Sequence, residues 1–172
     1  MAFTASDVKT LRERTGCGMM DCKKALSETN GDMDKAIDIL REKGLAAAAK
    51  KAGRIAAEGM VYAYVDDAKK VGVIIEVNSE TDFVSKNADF QAFVKKLAEI
   101  IADKAPADID ALMELPYDDK LNVAQALQDK ILVIGENIKI RRFARFEGNL
   151  VSYVHGGGRI GVIVKFDVDD TA

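Results

Sequence analysis

Val71-Gly72-Val73-Ile74-Ile75-Glu76-Val77-Asn78-Ser79-Glu80-Thr81-Asp82-Phe83-Val84 holds the change of period on which the fold turns. Its first half, Val71 to Val77, is an apolar run broken only by Gly72 and Glu76, and reads as a strand. Just downstream, Phe90, Phe93, Val94, Leu97, Ile100 and Ile101 recur at i, i+3, i+4, i+7, the spacing of one buried helical stripe over about Asn87 to Lys104. Between strand and helix stands a large aromatic beside an acid, Asp82-Phe83. Such connections lie at the surface and often carry function. Phe83 is either tucked under the helix or offered to a partner, and position alone favours the tucked reading.

Working outward, Met60 to Val65 is a second strand, joined to the first through Asp66-Asp67-Ala68-Lys69-Lys70 as a hairpin. The N-terminal segment reads as three short helices. Ser6 caps the first, which carries Val8 and Leu11 and stops at Gly16. Gly18 leads into the second, Met19 to Leu26, which runs to Asn30-Gly31. Asp32 caps the third, with Met33, Ala36, Ile37 and Leu40 on one face and Gly44 as its end. A bundle this small has little interior in which to perturb a pKa, so it suits docking better than catalysis. Leu45 to Ala57 is alanine-rich and reads as a connecting helix.

Beyond Pro106, a looser helical stretch covers Asp108 to Met113, and a further helix carries Leu121, Ala124, Leu127 and Ile131. It breaks at Ile134-Gly135-Glu136-Asn137. Ile138, Ile140, Arg142 and Ala144 then alternate with Lys139, Arg141, Phe143 and Arg145 as a strand. The end repeats the middle: Val151 to Phe166 overlays Tyr62 to Val77 without a gap, at an offset of 89 (Gly72 to Gly161). A duplicated hairpin predicts a second unit like the first, yet the sequence given stops where its helix should start. A lone hairpin is marginal in water, so this one is expected to pair onto the first sheet or to await further chain, and the sequence reads as truncated.

The expected fold class is therefore α+β. Residues 1–44 form a three-helix docking module and 45–59 an alanine-rich connecting helix. Residues 60–149 form the first half of an α+β core, with an antiparallel sheet and packed helices. Residues 150–172 open a second, incomplete half.

Composition excludes several classes. With 172 residues, 48% hydrophobic and 31% charged, the chain can bury a real core. A net charge of −3 and a pI near 5.3 argue against sequence-independent nucleic-acid binding. Cys17 and Cys22 match neither a redox pair nor half a zinc site, and His155 is the sole histidine. No metal, cofactor or His-dependent triad is expected. Gly156-Gly157-Gly158 lacks the Lys-Ser/Thr ending of a phosphate loop and, by the repeat, stands in for a hairpin turn. Lys139, Arg141, Arg142 and Arg145 could meet phosphates, but on an acidic chain they read better as a charged sheet edge. No secretory signal or run long enough to span a bilayer is visible. The expectation is a cytoplasmic protein that is not an enzyme.

Four motifs in order carry a resemblance. The run Val8-Lys9-Thr10-Leu11-Arg12-Glu13-Arg14-Thr15-Gly16-Cys17-Gly18-Met19-Met20-Asp21-Cys22-Lys23-Lys24-Ala25-Leu26 resembles the start of bacterial elongation factor Ts. Glu76-Val77-Asn78-Ser79-Glu80-Thr81-Asp82-Phe83-Val84 resembles that family's central signature. Ile134-Gly135-Glu136-Asn137-Ile138-Lys139-Ile140-Arg141-Arg142 resembles its late one. Tyr153-Val154-His155-Gly156 with Arg159-Ile160-Gly161-Val162 resembles the opening of its second core half.

The resemblance implies a guanine-nucleotide exchange factor for elongation factor Tu, with a ubiquitin-associated-like helical module. It implies that Asp82 and Phe83, within Thr81 to Val84, enter the partner's GTPase domain near the magnesium and phosphate end of the nucleotide site. Arg12, Met19, Met20 and Lys23 would dock on the same domain, with Ile134 and Gly135 nearby and His155 reaching toward the phosphate-binding loop. On this reading Phe83 is exposed, reversing the inference from position alone. Of the adjacent Met19 and Met20, one is expected in the core and one at the contact. The expected partner is elongation factor Tu in its GDP-bound and nucleotide-free states, with no membrane and no direct nucleic-acid contact; the oligomeric state stays open. The other class is an RNA- or ribosome-binding α+β domain with a helical docking module, motivated by Lys50, Lys51, Arg54 and Arg141 to Arg145.

Overall fold

A computed structural model describes residues 3–167; residues 168–172 of the expected second half lie outside the described residues. The chain packs as two compact units, Met1–Arg54 with Gln125–Asn137, and Ile55–Ala124 with Ile138–Ala172.

In the first unit, α1 (Ala5–Thr15), α2 (Met19–Glu28) and α3 (Met33–Lys51) enclose Leu11, Cys22, Ala25, Leu26, Ala36 and Leu40. The cap of α1 is Thr4, not Ser6. Asp7, three residues on, returns a carboxylate to the Thr4 N–H at 2.7 Å, while the Thr4 hydroxyl accepts from the Asp7 N–H. That reciprocal box satisfies two orphan donors where Ser6 would satisfy one. Gly16 ends the helix at φ 68°, and Asp32 caps α3, as expected.

Gly44 does not end α3. The helix passes through it to Lys51 and absorbs the first half of the expected connecting helix; Glu58 already begins a strand. A helical glycine costs only about 1 kcal/mol against alanine, and the following Ala46 to Ala49 propagate the turn. The first unit also takes in α7 (Val123–Ile134) from Gln125 onward, a segment far away in sequence. Leu132 packs against the bundle core.

In the second unit, β1 (Glu58–Asp66), β2 (Val71–Ser79) and β3 (Lys139–Glu147) form an antiparallel sheet in that order. One-turn α4 (Asp82–Ser85) follows β2 directly, then α5 (Ala88–Lys104) and α6 (Ile109–Glu114). Helix α5 is capped by the Asn87 side chain and lies across β1 and β2 with Phe90, Phe93, Leu97 and Ile101 fully buried. A bulge opposite Glu76/Val77 interrupts β3: Ile140 pairs with Val77 but Arg142 with Glu76. The expected inward face of β3 therefore holds only to Ile140, and both Arg141 and Arg142 reach Glu76 instead. β3 is an edge strand carrying these charges, as read from the sequence.

The repeat is visible in the hydrogen-bond register. β4 (Asn149–His155) and β5 (Ile160–Phe166) pair so that Val151 meets Val164 and Val154 meets Gly161, as Tyr62 meets Ile75 and Val65 meets Gly72. This second hairpin does not extend the first sheet; it forms its own two-stranded sheet and stacks on the first hairpin. The contact has a pseudo-twofold character. A Cβ at Gly72 would meet Leu150 Cδ1 at 2.8 Å and Ile163 Cδ1 at 3.5 Å; one at Gly161 would meet Val61 Cγ1 at 2.5 Å and Ile74 Cδ1 at 3.4 Å. Leu150 and Ile163 are the repeat equivalents of Val61 and Ile74. Each hairpin thus sets the same two apolar side chains against the same glycine of the other.

Candidate functional site

The central motif sits on a platform fixed from several sides. Ser79 at the end of β2 is buried and donates to the Thr81 carbonyl at 3.0 Å. One helical turn then closes through the Ser85 hydroxyl to the Asp82 carbonyl, 2.6 Å, and the Asn87 N–H to the Val84 carbonyl, 2.9 Å. Gln91 of α5 holds the Ser85 carbonyl at 2.9 Å. A single turn can turn only part of its surface inward, and the residue it buries is Val84, 6% exposed. Phe83 is left outside at 76%. The tucked reading is thereby overturned, and Val84 serves the motif as its anchor rather than as part of its surface.

Lys86 bridges the two protruding residues: its Nζ donates to Asp82 Oδ2 at 2.9 Å and stands 5.6 Å from the centre of the Phe83 ring. The Lys86 ammonium, with Arg159 adding at longer range, holds the Asp82 carboxyl below the usual carboxylate value. Lys86 escaped the sequence reading, although the Asp82–Lys86 spacing of four was available as a signal. Arg159 belongs to the turn of the second hairpin, whose Gly158 carbonyl accepts from the Val61 N–H at 2.7 Å. His155 begins that same turn and is exposed, its Nδ1 3.0 Å from the Tyr153 hydroxyl. Thr81, Asp82, Phe83, Val84 and His155 all belong to this unit.

The first unit gathers the remaining candidates. Met19 and Met20 open α2 and are both exposed, at 54% and 73%; neither is core. The helix turns its buried stripe inward only from Cys22 onward, leaving its first turn free. Lys23 is exposed and lies one turn from Met19, on the same face. Arg12, exposed, is in the last turn of α1. The late motif comes to this corner: a Cβ at Gly16 would lie 3.5 Å from Val133, next to half-buried Ile134 and to Gly135 at φ 85°. That juxtaposition depends on chain folding back over a hundred residues and has no local signal.

Cys17 and Cys22 are free and buried, and burial pushes both thiols above their ordinary value. Among the described residues no cluster of acidic, histidine or cysteine side chains could hold a metal ion, and no helix is long and apolar enough to cross a membrane.

What the fold presents, then, is two sets of candidate residues, one per unit, on an α+β scaffold. The family model described as "Elongation factor TS" matches residues 80–172, and the chain belongs to the elongation factor Ts family. It is 52% identical over 170 residues to the elongation factor Ts of Clostridium botulinum strain Eklund 17B, covering 97% of this chain and 56% of that protein. It is 56% identical over 166 residues to that of Clostridium perfringens strain SM101, covering 95% and 55%. With that of Trichlorobacter lovleyi it shares 53% over 174 residues, covering 98% and 56%. The chain thus spans little more than half the length of the curated relatives it matches.

Proposed function

We propose that the chain acts in translation elongation, in the cytoplasm, as a guanine-nucleotide exchange factor for elongation factor Tu. It works by contact, without a catalytic group or cofactor of its own. The observation that carries this reading is the 76% exposure of Phe83 on a turn whose every other element is tied down. Exchange requires differential binding: the factor must favour the nucleotide-free partner over the nucleotide-bound one, and by reciprocity nucleotide weakens the factor's grip by the same factor. Asp82 and Phe83 act as the wedge at the magnesium and phosphate end of the nucleotide site. Arg12, Met19, Met20, Lys23, Ile134 and Gly135 supply docking energy, and His155 offers a polar contact toward the phosphate-binding loop.

Release of labelled GDP from elongation factor Tu, with and without the chain, is the test. Acceleration saturating with added chain is expected; an unchanged rate defeats the proposal. The nucleic-acid reading is weakened at the β3 edge, where Arg141 and Arg142 meet Glu76 and Arg145 meets Glu147.

A further inference from the structure

We propose that Tyr153 is a positioning residue that fixes His155 as a hydrogen-bond donor, with the ring proton on Nε2; its role in exchange rests on the function proposed above. The Tyr153 hydroxyl lies 3.0 Å from His155 Nδ1, and the two rings are stacked with centroids 6.0 Å apart and planes inclined by 27°. Of the two groups, the phenol is the stronger acid and a neutral imidazole nitrogen the stronger base. The hydroxyl therefore donates, Nδ1 accepts, and the proton is held on the opposite nitrogen. A neutral His155 in that state offers an N–H to a phosphate or carbonyl oxygen and has no lone pair left for a backbone N–H.

The repeat shows why this side chain is free for such a role. In the first hairpin the equivalent pair is Tyr64 and Asp66. Asp66 is consumed by its own turn: Oδ1 accepts from the Lys69 N–H at 3.0 Å, and Oδ2 lies 3.7 Å from the Lys69 ammonium. In the second hairpin the main chain does that work. The Arg159 N–H donates to the His155 carbonyl at 3.1 Å, and Gly156, Gly157 and Gly158 take φ of 61°, 67° and 97°, where side chains would be strained. The turn closes without the side chain at position 155, and Tyr153 is what orients it.

His155 is the only histidine, so two-bond nitrogen–proton correlation spectra recorded on the neutral ring report its tautomer without assignment. A single Nε2–H form is expected, relaxing to a mixture in Tyr153→Phe, which keeps the ring and removes only the hydroxyl. Melting should be unaffected, because Tyr153 is 62% exposed. Tyr153→Phe should slow GDP release from elongation factor Tu roughly 2- to 5-fold, the lower range for one hydrogen bond. It should add nothing on a His155→Ala background. An Nδ1–H tautomer, or a spectrum indifferent to Tyr153→Phe, overturns the pairing. Normal release by Tyr153→Phe where His155→Ala is slow overturns its role in exchange. If the unsubstituted chain leaves GDP release unchanged, the exchange reading has failed, and the tautomer spectrum still decides the Tyr153–His155 pair.

Discussion

Replacing Phe83 by alanine separates the cost to the fold from the cost to the interface. Full burial of a phenylalanine side chain stabilises by about 1.5–3 kcal/mol. With 76% of Phe83 exposed, only about a quarter of that, roughly 0.4–0.8 kcal/mol, is at stake in the free protein. The cation–π contact with Lys86 adds about 0.5–1 kcal/mol at an exposed position. The fold should lose about 1–2 kcal/mol, a shift of a few degrees in melting temperature. Phe93→Ala, fully buried, should lose about 3–5 kcal/mol. An interface hot spot is worth about 2 kcal/mol or more, or about 30-fold in binding, so Phe83→Ala should cut stimulated GDP release by at least that order. Thermal melts and stopped-flow release on the same samples measure both. A melting shift as large as that of Phe93→Ala would mean that Phe83 supports the core. Undiminished release would remove it from the exchange site.

Lys86→Met should let the Asp82 carboxyl titrate closer to its ordinary value near 3.8, because Lys86 is the main group holding it lower. A folded-state pKa below the unfolded one means the pair stabilises α4 above the unfolded value and is lost as pH falls through the folded one. Carbon-detected titration of Asp82 in both proteins reads this, and identical midpoints would contradict it. Arg12→Ala and Lys23→Ala should each weaken association with elongation factor Tu about 2- to 10-fold while leaving helical content intact, because both are exposed charges of the helical unit that also exposes Met19 and Met20. Calorimetry showing unchanged affinity for both would take this corner off the contact surface. Amides from Val151 to Val164 should exchange with deuterium faster than those from Val71 to Val77, since β2 is paired on both sides and β4 and β5 only with each other; equal protection would show the second hairpin to be as well supported.

The α5 stripe was readable because that helix keeps one buried face, and the two hairpins appear at the residues the pattern marks, the second of them through the repeat rather than through burial. The repeat was readable down to register, since pairing and packing both follow the sequence offset. Local competition was harder to read. Thr4 and Ser6 are both good caps, and the choice rests on which can exchange bonds with Asp7. The bulge at Arg141 inserts one residue that alternation cannot announce, and it redirects two arginines to Glu76. The approach of Val133 to Gly16 is a tertiary event between distant segments.

The candidate site itself was legible as a place but not as a shape. Phe83 and Val84 are adjacent and both apolar, and one turn of helix can bury only one of them. Area alone would send the larger ring inward. Instead Val84 is buried at 6% and Phe83 stands at 76%, held by a buried Ser79, a capped α5 and the Lys86 bridge. Leaving most of that ring in water forgoes about 1–2 kcal/mol of burial. Because the surrounding turn is already ordered, little of that energy has to be spent on fixing the loop when a partner covers the ring. The conformational restriction is met in folding and the apolar area is left for binding, a division that suits Phe83 to the wedge role proposed for it.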